Sequence, residues 1–192
     1  MPRAGLNTFE VVAAGAELAD ESGIGSVSFA ALSSRLGVKA PALYKHVDSV
    51  GDLQRRIATL AMVELGDQLR EALQGKAGAD AMRALFMAVQ TFIAAHPGRY
   101  AATIGAQFGG SDDPLFVAAS RVIGSVRAVV SGYGVHPDQL DHAVRTLRCM
   151  IQGYAQLQAV NAFQWGNDPE ASLDWMIRFV DAGLRAVGED AR

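Results

Sequence analysis

Residues 28–47 read SFAALSSRLGVKAPALYKHV and carry Arg35, Lys39, Lys45 and His46 without one carboxylate, in a 192-residue chain whose formal net charge is -3. Cations kept clear of acids suit a polyanion, because any carboxylate brought to a phosphate backbone meets repulsion. The remaining reactive side chains gather into no comparable constellation. His46, His96, His136 and His142 stand apart, with no H-E-x-x-H or Cys/His ligand set and no glycine loop after a strand. His136 and His142, with Asp138 and Asp141, are of metal-binding type, but at a helix start they read as a cap and solvated first turn. The single Cys149 can form no intramolecular disulfide and lies among apolar neighbours, where a buried structural thiol is expected. No catalytic residue, cofactor or metal is expected.

The elements that must carry the acid-free segment are helices. Half of the chain is hydrophobic, enough for a substantial core, and there is no convincing alternation of β-branched residues. The N-terminal residues lack an apolar leader pattern, and the most apolar stretch, LFVAASRVIGSVRAVV, holds Arg121 and Arg127 near its centre; no membrane span is expected, and the cytoplasm is the expected compartment. Val12, Ala16 and Ala19 share one face of a first helix at about 8–22, ended by Gly23 and Gly25. Ser28 is an N-cap for a second helix, and Gly37 suits the left-handed turn that ends it. A short third helix starts near Pro41. Asp48 or Ser49 caps a long fourth helix, about 49–74, which GKAG breaks.

Leu32 and Leu36 lie one turn apart on the second helix, as do Leu43 and Val47 on the third, with Val38 between them. These five would pack two crossed helices onto the first, which is helix-turn-helix grammar. Lys39, Ala40, Ala42, Tyr44, Lys45 and His46 are then left facing outward, with small residues where a helix N-terminus would approach base edges. The same residues also suit a helical interaction module that sets its basic helix against an acidic protein partner.

The stretch VSFAALSSRLGVKAPALYKHVDSVGDL resembles the DNA-binding signature of TetR-family transcriptional regulators, whose third helix ends in LY-x-H-V or LY-x-H-F, here LYKHV. The resemblance implies an all-α homodimer of about nine helices: a three-helix DNA-binding domain, 1–48, and a ligand-binding and dimerisation domain, 49–192. It implies a repressor that binds a palindromic operator in double-stranded DNA and is released by a small-molecule effector. The family's contacts fall on Lys39, Ala40, Pro41, Ala42, Tyr44, Lys45 and His46, with Ser28 meeting a phosphate. Val50 stands where many members have a phosphate-gripping lysine. The later segments HPGRYAATI and IQGYAQLQAVNAF resemble the WHG-type subgroup, although Gln152 stands where that subgroup commonly has histidine.

The second half adds two expectations. Met82, Phe86, Met87, Phe92, Tyr100, Phe108, Phe116, Met150 and Tyr154 are candidates to line a pocket for an apolar or amphipathic effector, with Gln107 or Gln152 to orient it. The last helix has two apolar rows, Leu173–Ile177–Val180–Leu184–Val187 and Met176–Phe179–Gly183–Ala186, beside a charged face of Asp174, Arg178, Asp181 and Arg185 read as solvated. Two apolar rows need two surfaces, so a dimer seam is expected at Leu147, Met150, Tyr154, Leu157, Met176, Phe179, Val180 and Gly183.

Overall fold

The computed structural model describes residues 6–164, 166 and 168–190. Trp165 and Asn167 of the expected QWGNDP break lie outside the described residues. All regular structure among the described residues is helical.

Local chemistry sets each boundary of the first four helices. In α1 (Thr8–Ser22), the Asn7 side chain accepts from the Glu10 amide at 2.9 Å and the Glu10 carboxylate accepts from the Asn7 amide at 3.0 Å, a reciprocal capping box. The Ala31 amide donates to Ser28 Oγ at 3.2 Å to start α2 (Phe29–Leu36). Gly37, at φ 65° and ψ 33°, ends it in the left-handed region, where a side chain would be strained. α3 (Ala40–Leu43) is only four residues long and carries Pro41 in its first turn. Ser49 Oγ accepts from the Asp52 amide at 3.0 Å to cap α4 (Val50–Leu73), which selects Ser49 from the two expected caps.

The helices group into two compact units that interleave along the chain. The first takes the described residues up to Glu64 and then 95–119; the second takes 65–94 and the described residues from Ser120 onward. The first therefore extends beyond the expected 1–48 domain, through most of α4, all of α6 (Pro97–Thr103) and the start of α7 (Pro114–Ser131). Its core is built from Val11, Ala16 and Ala19 of α1 with Leu32, Leu43, Val47, Leu53 and Ile57, all buried. α6 lies so close to α1 that a Cβ on Gly98 would sit 1.9 Å from the Ala19 carbonyl oxygen, so only glycine fits there. Asp20 fastens the same crossing by accepting from the Arg99 amide at 2.8 Å, while the Arg99 guanidinium reaches Glu64 at 3.1 Å. Arg55 of α4 ties down the following loop through the Gln107 carbonyl and the Asp113 carboxylate.

The second unit packs Met82, Leu85, Phe86 and Phe92 of α5 (Gly78–Ala95), Leu147 and Ile151 of α8 (Leu140–Ala159), and Leu173 and Ile177 of α9 (Pro169–Asp190) as buried residues. Two expectations are corrected here. Cys149 is exposed, because it lies about 200° around α8 from buried Leu147 and so points away from the core that Leu147 enters. The charged face of α9 is partly engaged: Asp174 pairs with Arg83 at 2.8 Å, and the Tyr133 hydroxyl donates to Asp181 at 2.6 Å. By length and composition α7 could cross a membrane, with mean hydropathy 1.3. Its Arg127, however, pairs with Asp141, and Leu115, Val129 and Val130 are buried within the protein.

Two stability outcomes follow from these contacts. Leu43→Ala removes a fully buried side chain that joins α3 to the core and should cost about 2–5 kcal/mol, read from urea midpoints. The hydrogen bond from Arg185 is the main influence holding the Asp181 carboxyl below its usual range; burial opposes it and the Tyr133 hydroxyl assists. A depressed folded value contributes stability above the unfolded pKa of about 3.9, lost as pH falls through the folded value. Asp181→Asn should therefore destabilise the protein near neutral pH, and the gap in melting temperature from wild type should close as the pH is taken below about 4.

Candidate nucleic-acid interface

The first unit brings the acid-free segment to one corner formed by α2, α3 and the turn after α3. Lys39, Pro41, Tyr44 and Lys45 are exposed, while Ser28, Ala40, Ala42 and His46 are half-buried. The expected reading helix through His46 is shorter than foreseen: α3 ends at Leu43, and residues 44–46 form a turn in which the His46 amide donates to the Leu43 carbonyl at 2.9 Å. Burial of both Leu43 and Val47 keeps this turn right-handed, as the Val47 amide also reaches the Leu43 carbonyl at 3.1 Å.

The charge of this corner is smaller than its composition suggests. Arg35 is spent on α1, reaching Glu21 at 2.6 Å and Glu17 at 3.1 Å. The hydrogen bond from Arg35 holds the Glu21 carboxyl below its usual range, and the two glutamates push the Arg35 guanidinium up. Lys39 and Lys45 remain as cations for which no ion pair is formed among the described residues. Ser28 Oγ is occupied as an acceptor by the cap of α2, which leaves its hydroxyl hydrogen to donate outward.

Two contacts at this corner have no counterpart in the sequence reading. The Tyr44 ring stands edge-on to Phe29, with centroids 4.7 Å apart and planes at 82°. His46 Nδ1 lies 3.4 Å from the Thr8 hydroxyl, which turns the ring toward α1. Both partners are distant in sequence, and neither Phe29 nor Thr8 belongs to a spacing pattern that marks it for this role.

A family model for the tetracyclin repressor-like C-terminal domain matches residues 82–180. The uncharacterized HTH-type transcriptional regulator YobS of Bacillus subtilis (strain 168) is 31% identical over 185 residues, 95% of each chain. The chain belongs to the TetR family. The uncharacterized HTH-type regulator Rv0681 of Mycobacterium tuberculosis is 32% identical over 166 residues, covering 86% of this chain and 75% of that one. Among solved structures, a TetR variant from Acinetobacter baumannii AYE in complex with minocycline has a TM-score of 0.71 at 20% identity, covering 95% of this chain and 98% of that one. A protein of unknown function from Rhodococcus sp. RHA1 has a TM-score of 0.78 at 18% identity, covering 96% and 99%. The protein is thus an all-α transcriptional regulator of TetR type, not an enzyme.

The effector candidates of this TetR regulator are divided between the two units. Tyr100, Phe108 and Phe116 belong to the first unit and the others to the second. Phe108 and Phe116 meet edge to face at 5.6 Å and are exposed, and Tyr100 is buried in α6. Met82, Phe86 and Phe92 are buried core, and Met87 is exposed. The Tyr154 hydroxyl donates to the Pro169 carbonyl at 2.7 Å and its ring packs on Phe163, so burial raises its pKa. An open groove of about 1010 Å³ lies elsewhere in the second unit, between the end of α4, the start of α5 and α7, with Leu73, Ala81, Arg121 and Ala128 among its walls.

The expected dimer residues divide by exposure. Leu147, Tyr154 and Val180 are buried within the chain and Met150 and Met176 are half-buried, whereas Leu157, Phe179 and Gly183 are exposed. A groove of about 470 Å³ runs between α8 and α9, lined by Met150, Phe179, Gly183 and Val187 among others. Trp175 stacks on Phe179 at 5.3 Å along the same side of α9 and is itself exposed, extending the apolar surface beyond the expected seam.

Proposed function

We propose that this TetR-family regulator binds a palindromic operator as a homodimer, represses transcription from it, and is released by a small effector bound in the second unit. The observation that carries this reading is the corner around α3, where a left-handed Gly37 elbow presents exposed Lys39, Pro41, Tyr44 and Lys45 with no carboxylate between Glu21 and Asp48. Lys39, Lys45, Tyr44 and Ser28 would meet phosphates and base edges, with His46 reaching the DNA through the ring nitrogen not facing Thr8. Ala40 and Ala42 can offer only close approach and contact with a thymine methyl, so sequence preference would lean on DNA shape. A regulator acting on DNA in this way belongs in the cytoplasm.

The exposed Phe179, Trp175 and Leu157 support dimerisation through α8 and α9, since an apolar surface of this kind is covered in most soluble proteins. A two-fold pair would set two reading corners one DNA turn apart, about 34–36 Å. Effector release is supported by family membership and by the similar TetR solved with minocycline. To shift a population from 1:99 to 99:1, the effector must prefer the released state by about 5.5 kcal/mol.

Selection from random DNA by the purified protein should recover a palindrome, and recovery of none would favour an acidic protein partner instead. On the recovered DNA, Lys45→Gln should reduce the salt slope of the dimer by about 1.8, one phosphate contact being lost in each subunit, whereas Arg35→Gln should leave it almost unchanged because Glu17 and Glu21 already neutralise that cation. Phe179→Glu should convert the protein to monomers in sedimentation analysis and weaken operator binding with it; a dimer that survives the substitution would remove α9 from the interface.

A further inference from the structure

Tyr44 occupies an unusual position for a side chain expected to grip DNA. α3 has ended one residue earlier, so the phenol hangs from a turn, and it is 58% exposed. An aromatic side chain in such a place would sample several rotamers and lose that freedom on binding. Here the ring is instead held edge-on by Phe29, at 4.7 Å and 82°. Phe29 is itself anchored: it is the first residue of α2, next to the Ser28 cap, and it packs partly buried on the core that contains Leu32 and Leu43.

We infer that Phe29 is a positioning residue for DNA binding, which clamps the Tyr44 ring and presents its hydroxyl to the nucleic acid in one orientation. The clamp acts on the segment that also carries Lys45. Tyr44 is held toward α2, His46 leans toward Thr8 of α1, and the exposed Lys45 lies between these two tethered residues in the chain. Ordering the turn before DNA arrives removes a cost that binding would otherwise bear. Phe29 need not touch the DNA itself. The inference rests on the reading of Tyr44 as a DNA contact.

The test measures affinities for the DNA recovered by selection in a double-mutant cycle of Phe29→Leu and Tyr44→Phe, with Phe29→Tyr as the conservative variant and Phe29→Met in reserve should the leucine variant melt early. Phe29→Leu should weaken binding roughly three- to tenfold while the protein stays folded at the assay temperature, and Phe29→Tyr, which keeps the ring edge, should bind as wild type. With the hydroxyl already removed by Tyr44→Phe, Phe29→Leu should cost clearly less than it does in the wild type, leaving only the loss from the loosened Lys45 segment. An equal loss in both backgrounds, or no loss in either while Tyr44→Phe does weaken binding, would overturn the positioning role and leave Tyr44 as a contact. If Tyr44→Phe binds like wild type, the reading of Tyr44 fails and the inference fails with it.

Discussion

The burial of Leu32 and Leu43 against α1 sets the angle between α2 and α3, and the rest of the reading corner hangs on it. Both side chains are fully buried, and the chain between them must reverse direction within a few residues. Gly37 permits that reversal because its backbone occupies the left-handed region without a Cβ to resist. Given the angle, Tyr44 necessarily falls beside the start of α2, and Lys39 and Lys45 fall on the surface. A change in how these leucines pack would move every candidate contact at once.

Charge in this corner is allotted between holding the fold and facing outward. Arg35 belongs to the acid-free stretch by sequence, yet its guanidinium is committed to Glu17 and Glu21 of α1, where it helps to hold α2 in place. The outward field is left to two lysines, a modest footprint for a protein with net charge -3. Such a surface suits recognition that depends on shape and close approach more than on many phosphate contacts. The same economy appears around α6. Gly98 removes a side chain so that α6 can lie on α1, and Asp20, Arg99 and Glu64 then secure the crossing with charge.

The legible parts of the sequence were those governed by local rules. Ser28, Gly37, Pro41 and Ser49 announce helix starts and ends because caps and left-handed turns are decided within a few residues. The i, i+4 spacing of Leu32 with Leu36 and Leu43 with Val47 disclosed which faces turn inward, and the LYKHV signature pointed to the family that the comparisons show. The aromatic and methionine residues of the second half were much less informative. Periodicity marks Phe86 and Phe92 as apolar on a helix face, but a packed core and a lined cavity share that signal, and the burial of both side chains is common to the two.

The sequence alone thus determined the helices, the elbow and the absence of acids around α3, since each depends on backbone preference and side-chain type over short range. Only the tertiary structure decided how those residues are used. It took Arg35 out of the outward charge, turned His46 toward Thr8, exposed Cys149 and placed Phe29 against Tyr44, because these outcomes join residues 14 to 38 positions apart or depend on which helix face meets another. It also drew 95–119 into the same compact unit as the reading corner, through a glycine whose role is visible only once α1 lies against it. Contacts between distant residues depend on the packing angle, and no local rule of sequence encodes that angle.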